Sequence, residues 1–450
     1  MSPAPLRGDL TQGSVAQHLI SLTIPMFLGI SSMLVASMLE TIYIGWIGMR
    51  ELAAGSFGFP LIMGLSSMSM GVGTGASSII ARIVGGGDSA AVLRLSTHAL
   101  LLVVLLSLAL TLFGLAYADR IFQLLGASDE VIPLAAGYIR VWLYGLPTFA
   151  VGMVAGNIMR AAGNARTPGI IMVGGSALQV LFAPGLIFGI PGLWEGLGLV
   201  GAAWSFVLAR GLALLYTLWV IVRMHLLGRT DMAVHAVLES WREVMRIGVP
   251  SMMSSLIGPV SMGILISLLA RHGAEVVAGF GVASRIEMLV NMILMSLAGS
   301  VAPMVGQNWG AGRFERIFEA VRISYRFSLL WSAIAFAFLS LSGGFIVGLV
   351  NDDPLVVTAG AWYLLVVPLS YGFLGMSMVA GSCFTALGKP IPSLVMTLLR
   401  MLVLYLPLAL LGDYLLGYQG IFGATALANV VIGLIGWRWV QSWLNDVTSR

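Results

Sequence analysis

The chain has 450 residues, of which 58% are hydrophobic and only 9% charged, with a formal net charge of +4 and a mean hydropathy of +0.97. That make-up excludes a soluble globular domain, whose surface needs far more charge, and the single cysteine, Cys383, excludes an intrachain disulfide framework. His18, His98, His225, His235 and His272 are scattered without metal-ligand spacing, so a metal centre is not expected.

The opening MSPAPLRGDLTQGSVAQHL carries Arg7 and a Pro pair but no short apolar core with a small-residue cleavage site, and no removable signal peptide is expected. Apolar runs of the roughly 20 residues needed to cross about 30 Å of hydrocarbon then recur along the whole length. They predict an all-α integral membrane protein with twelve spans, near 19–45, 52–78, 97–118, 131–157, 168–190, 196–222, 243–270, 275–303, 323–350, 355–385, 390–412 and 418–440. Arg82, Arg94, Arg160, Arg166, Arg223, Arg229, Arg242, Arg246, Arg313, Arg316, Arg322, Arg326, Lys389 and Arg438 fall in the even-numbered connections or the tail, whereas the odd-numbered ones keep mainly Arg50, Arg120 and Arg271. The positive-inside rule then predicts a multi-pass protein of the inner (plasma) membrane with both termini cytoplasmic.

Features recur at an offset of about 225 residues, half the length, as expected of a duplication. Pro25 in LTIPMFLGI pairs with Pro250 in IGVPSMMSS, ELAAGSFG at 51–58 with EVVAGFGV at 275–282, and GGGD at 85–88 with GAGR at 310–313. LPTFAVGMVAGNIMRAAGN at 146–164 matches VPLSYGFLGMSMVAGSCFTALGK at 367–389. Two parallel six-helix lobes follow, related by a pseudo-twofold axis along the membrane normal. The expected bounds are 1–222 for the first lobe, 223–246 for a cytoplasmic linker with one amphipathic helix, and 247–450 for the second lobe. Such repeats predict a site near the midplane served by alternating access. Pro25 and Pro250, early in the first helix of each lobe, are candidate hinges, because proline frees backbone carbonyls and kinks a helix.

At these residues the sequence resembles the multidrug and toxic compound extrusion family of ion-coupled exporters. The likeness covers essentially residues 15 to 440. It is carried by LETIYIGWIGMRELAAGSF at 39–57, MRAAGNARTP at 159–168, GLGLVGAAW at 196–204, SRIEMLV at 284–290 and VGQNWGAGR at 305–313. The resemblance implies a secondary active antiporter that exports amphipathic, cationic organic compounds such as drugs and toxins in exchange for H⁺ or Na⁺.

Ionisable residues within spans are the natural ion-coupling candidates, because each is costly in hydrocarbon unless it faces a cavity or a partner. Glu40 lies in the outer half of the first span, where the family usually has an aspartate, and could exchange protons or collect Na⁺ with neighbouring oxygens. Glu287 and Asn291, four residues apart, share a helix face with Ser284 and form an acid–amide–hydroxyl stripe. Arg285 points about 200° away from Glu287 around the helix, and Arg400 of span 11 could neutralise Glu287; both are read as structural. Two departures bear on the resemblance. LQVLFAPGLIFG at 178–189 places Gln179 and Ala183 where the family has an Asn and an Asp, and Gly258 stands near the position of another branch's Glu.

Met63, Ser67 and Met70 in span 2, with Met288 and Met292 in span 8, form stripes suited to an adaptable apolar substrate pocket. No Walker-type glycine loop appears, which leaves an ion gradient as the driver, and no nucleophile–base motif suggests an enzyme. The expected partners are small organic substrates and membrane lipids, not nucleic acid, with a monomeric chain and no cofactor beyond the coupling ion. The alternative reading is a flippase for a lipid-linked saccharide precursor. It needs a cationic cavity, for which Arg285 and Arg400 are the intramembrane candidates.

Overall fold

The computed structural model describes residues 8–448. Pro3, Pro5 and Arg7, on which the reading of an uncleaved start rests, and the extreme carboxyl end lie outside the described residues. Among the described residues, twelve helices are long and apolar enough to cross a membrane: α1 (Val15–Ile47), α2 (Met49–Gly86), α3 (Ser89–Leu124), α4 (Ile132–Ala161), α5 (Arg166–Phe188), α6 (Leu199–Arg223), α7 (Val234–His272), α8 (Ala274–Gly310), α9 (Phe314–Gly348), α10 (Pro354–Ala386), α11 (Pro390–Leu416) and α12 (Tyr418–Asp446). Hydrocarbon offers no water to backbone amides, so chains of this composition satisfy them within helices.

Helix starts and stops follow local chemistry. Asp88 caps α3 by accepting from the amide of Ala91 at 3.0 Å, and Asp353 caps α10 by accepting from Leu355 at 2.8 Å. Gly87 and Gly312 turn the chain after α2 and α8 with φ of 81° and 69°, a region that favours glycine, and they occupy matched positions of the repeat. Several helices outrun their predicted spans: α2 reaches Gly86 rather than 78, α3 begins at Ser89 rather than 97, and α9 begins at Phe314 rather than 323. Hydropathy stops counting at the first arginines, but alanine, glutamate and arginine continue a helix beyond the hydrocarbon. The helix expected inside the connecting segment is not separate. It forms the first part of α7, which starts at Val234, because nothing in 234–243 breaks it. A two-residue antiparallel ladder, Gly189–Ile190 with Trp194–Glu195, joins α5 to α6 and is too short to leave a period in the sequence.

Packing divides the chain into two units. The first runs over Ile24–Met252. Its core includes Ile80, Leu143, Leu146, Ile158 and Met159, all with no exposed surface. The start of α7 docks here through His98 of α3. The imidazole Nδ1 lies 2.9 Å from Ser240 Oγ and Nε2 lies 2.8 Å from the Asp231 carbonyl, while Trp241 Nε1 donates to the His98 carbonyl at 2.9 Å. Backbones of α2 and α7 touch at a glycine pair: a methyl on Gly71 would lie 2.7 Å from the Gly248 carbonyl oxygen, and one on Gly248 2.9 Å from that of Gly71.

The second unit takes Leu10–Thr23 and the chain from Met253 on. Phe280, Tyr363 and Phe422 interlock at its centre with ring centroids 4.9–6.3 Å apart. The segment before α1 is fastened by α8 and α9. Arg316 donates to the carbonyls of Leu10 (3.0 Å), Gln12 (3.2 Å) and Gly13 (2.7 Å), and Gln307 accepts from the Leu10 amide at 3.0 Å. Asn308 holds Arg316 Nε at 2.9 Å. Pro25 and Pro250 each sit within two residues of the points where α1 and α7 pass from one unit to the other.

Candidate functional site

In the first unit α1 delivers Glu40 to a polar cluster built by α4, α5 and α6. Tyr138 of α4 donates its hydroxyl to Glu40 Oε1 at 3.2 Å, and Gln179 of α5 donates Nε2 to Oε2 at 2.7 Å. Tyr138 and Gln179 are each only 6% exposed, so both donors are committed to the carboxylate rather than to water. Behind them, Arg210 of α6 donates Nη2 to Gln179 Oε1 at 3.5 Å, so acid and base are joined through one amide. The guanidinium lies 5.5 Å from the Phe206 ring centre and 5.8 Å from that of Phe149. Gly175 of α5 makes room for it, since a methyl there would sit 3.3 Å from Nη1.

Ala183, one turn beyond Gln179, is buried at 1% exposure and puts a methyl where the family resemblance leads one to expect a second acid. The cluster is therefore one carboxylate balanced by one guanidinium. It can accept a proton or a cation at Glu40, and it offers donors to an anion at Arg210. A groove of about 780 Å³ runs between α1 and α5, lined by apolar side chains and Ser31, Ser32 and Ser176. Two of its lining residues, Leu39 and Val180, are the chain neighbours of Glu40 and Gln179.

The second unit has its own acid cluster. Asn291 Nδ2 donates to Glu287 Oε1 at 3.4 Å, and the Tyr363 hydroxyl of α10 donates to Oε2. Ser284, on the same face, instead donates to the Gly281 carbonyl at 3.1 Å. Arg400 sits in a π-helical stretch of α11, Leu399–Tyr405, and donates to Asn429 Oδ1 at 3.2 Å; Asn429 in turn donates to Ser370 at 3.0 Å. Glu287 and Arg400 are close enough to interact electrostatically. Asn291 Oδ1 and the Tyr371 hydroxyl are buried without a partner among the described residues.

The remaining sequence candidates are dispersed. Arg285 is exposed on α8, away from Glu287, as the helical phase required. Met63 (38% exposed), Met70 (44%) and Met288 (51%) present surface, whereas Met292 is buried at 2%. Ser67 spends its hydroxyl on the Met63 carbonyl at 2.8 Å. Sequence reasoning missed Arg210 and Tyr138 and treated Gln179 only as a departure. Arg285, exposed on α8, and Arg400 are joined by a third arginine within a span, Arg210, which supplies a charge inside a cluster. Its signal was present in VLARGLALL, a lone ionisable residue in an apolar run.

A family profile described as MatE matches residues 25–184 and 250–411, one stretch in each half. The chain is 30% identical over 429 residues to the FAD transporter of Shewanella oneidensis, covering 95% of each protein. It is 23% identical over 427 residues to the multidrug export protein MepA of Staphylococcus aureus, covering 93% of this chain and 92% of that protein. Among solved structures, the MATE transporter VcmN of Vibrio cholerae in its bent form matches with a TM-score of 0.91 at 26% identity, covering 96% of this chain and 97% of that one. The twelve-helix architecture expected from the sequence is the one these transporters share.

Proposed function

The chain belongs to the MatE family, and from that premise we propose that it is a secondary active exporter of amphipathic organic compounds, driven by inward movement of H⁺ or Na⁺. Its place would be the inner membrane, with both termini cytoplasmic. The observation that carries the reading is Glu40, a membrane-helix carboxylate gripped by Tyr138 and Gln179 and answered by Arg210 at one remove. Such a group is retained at a cost unless its occupancy is used.

A proton on Oε2 of Glu40 makes that oxygen a hydroxyl donor facing the Gln179 amide N–H, so Gln179 must turn its own oxygen to the acid or let go. Arg210, held through the same amide, then loses its link to the acid. Ion uptake at Glu40 thereby changes what three helices share, α1, α5 and α6, and Pro25 lies on the first of them. Organic substrate that competes for Glu40 would leave as the ion enters, which is antiport.

Uptake of a fluorescent organic cation such as ethidium into inverted vesicles, under an imposed proton or sodium gradient, tests this. Wild-type protein is expected to concentrate the dye, and Glu40→Gln to fall to the level of vesicles lacking the protein. Full gradient-driven uptake by Glu40→Gln would remove Glu40 from the coupling mechanism.

A second reading concerns the substrate. Arg210 offsets the charge of Glu40, so this cluster alone carries no preference for cations. The similarity to the FAD transporter of Shewanella oneidensis supports export of an organic anion with a large flat ring system, such as a flavin nucleotide. The arginine inside the lobe supplies what a lipid-linked saccharide flippase would also need, but a single guanidinium suits one phosphate or carboxylate group better than a pyrophosphate-wide basic cavity.

A further inference from the structure

The second reading can be carried to a residue. We propose that Arg210 receives a phosphate or carboxylate group of the transported compound, with Glu40 as the protein's own competing anion. This rests on the organic-anion reading and names the group that would make it selective.

Arg210 has donors left unmet. A guanidinium has five N–H groups in a rigid planar fork, and buried ones are ordinarily spent on fixed acceptors. Three other arginines of this chain each hold a closer acceptor: Arg160 donates to Asn157 at 2.8 Å, Arg82 to Ser78 at 2.8 Å, and Arg400 to Asn429 at 3.2 Å, whose own amide is anchored on Ser370. Arg210 differs. Its Nη2 reaches Gln179 only at 3.5 Å, the limit of a hydrogen bond, and its buried Nε has no partner among the described residues.

The surroundings orient the fork without filling it. Phe149 and Phe206 lie against the guanidinium, and Gly175 leaves Nη1 clear of any side chain of its own. Glu40 meets the arginine through Gln179 rather than directly, with Tyr138 and Gln179 each donating to one of its oxygens. The internal anion is thus one amide removed from its cation, which leaves edge donors for an outside planar anion to take in bidentate fashion. The groove of about 780 Å³ between α1 and α5 is largely apolar, and its lining includes Val180, next in the chain to Gln179.

The test compares two ligands that share a ring and differ by one phosphate, riboflavin 5′-phosphate and riboflavin, titrated by flavin fluorescence against purified full-length protein. Wild-type protein should bind the phosphate ester about tenfold or more tightly than riboflavin, the yield of a charge-assisted bond. Arg210→Gln should bring the two affinities within about twofold, and Arg210→Lys should keep part of the preference as a point charge. Glu40→Gln, which removes the competing carboxylate, should widen the preference for the phosphate ester over riboflavin. A phosphate preference that persists in Arg210→Gln, or its absence in wild type while both flavins bind, overturns the assignment of Arg210 and leaves the organic-anion reading standing. Failure of wild type to bind either flavin overturns the flavin reading and this inference with it. Arg210→Gln that elutes as aggregate is replaced by Gly175→Ala, whose methyl crowds Nη1 and should lower the phosphate preference alone.

Discussion

A carboxylate inside a membrane helix persists where its oxygens are hydrogen-bonded and its charge is answered nearby, and Glu40 meets both conditions through three different helices. The bond from Gln179 is the short one at 2.7 Å and also carries the link to Arg210, so Gln179→Leu breaks two connections at once. It should reduce gradient-driven dye or flavin transport at least about tenfold, whereas Tyr138→Phe, which removes one weaker bond at 3.2 Å, should cost only a fewfold. Initial rates in inverted vesicles check both, and equal losses would mean that the amide link is not special. In the second unit Tyr363→Phe leaves Glu287 with Asn291 alone at 3.4 Å. A partly buried carboxylate deprived of its main donor should lower stability by about 1–3 kcal/mol, read as an earlier unfolding midpoint in detergent.

At the scale of helices, close approach depends on what is missing from glycine. Gly71 and Gly248 each occupy the space in which the other would place a methyl, so Gly71→Leu must push α2 and α7 apart. The expected loss is about 1–3 kcal/mol, the range of overpacking, and a smaller residue such as alanine should do less harm than leucine. Thermal melts of the two variants decide it. A different device ties the segment before α1 to α8 and α9: Arg316 alone reaches three of its carbonyls. Arg316→Ala should release that segment, and limited proteolysis should then cut within residues 8–14 faster than in wild type. The helices themselves were largely legible. Hydropathy located all twelve but underestimated their ends, since charged residues such as Arg82 and Arg322 lie in helix beyond the apolar run.

For the molecule as a whole, the distribution of arginine predicts which ends of the helices face the cytoplasm. The few basic residues on the other side are largely paired with acids: Arg50 with Glu130 at 3.4 Å, Arg140 with Asp119, and Arg271 and His272 with Asp413 at 3.8 Å and 2.5 Å. Cys383 is fully buried, so the natural chain should be silent to a membrane-impermeant thiol reagent. Cysteines introduced at exposed Ala90 or Ala311, in the arginine-rich connections, should label only from the cytoplasmic side, and one at exposed Ser128 only from outside. Labelling of Ala90→Cys in intact cells would invert the proposed orientation.

Composition, the length of the apolar runs and the duplicated motifs by themselves determined a twelve-helix membrane protein in two halves, because membrane insertion is a one-dimensional property read from about twenty residues at a time. They also singled out Glu40 and Glu287, since any charge in such a run stands out. What only the tertiary structure decided is what each acid meets. Glu40, Tyr138, Gln179 and Arg210 come from four helices, 98 to 139 residues apart along the two bonds to Glu40. Their meeting depends on how helices are rotated and packed, to which hydropathy is blind. The same holds for Arg210 and Arg285: each is an arginine within a predicted span, and the packing of the helices puts one in a polar cluster and leaves the other exposed.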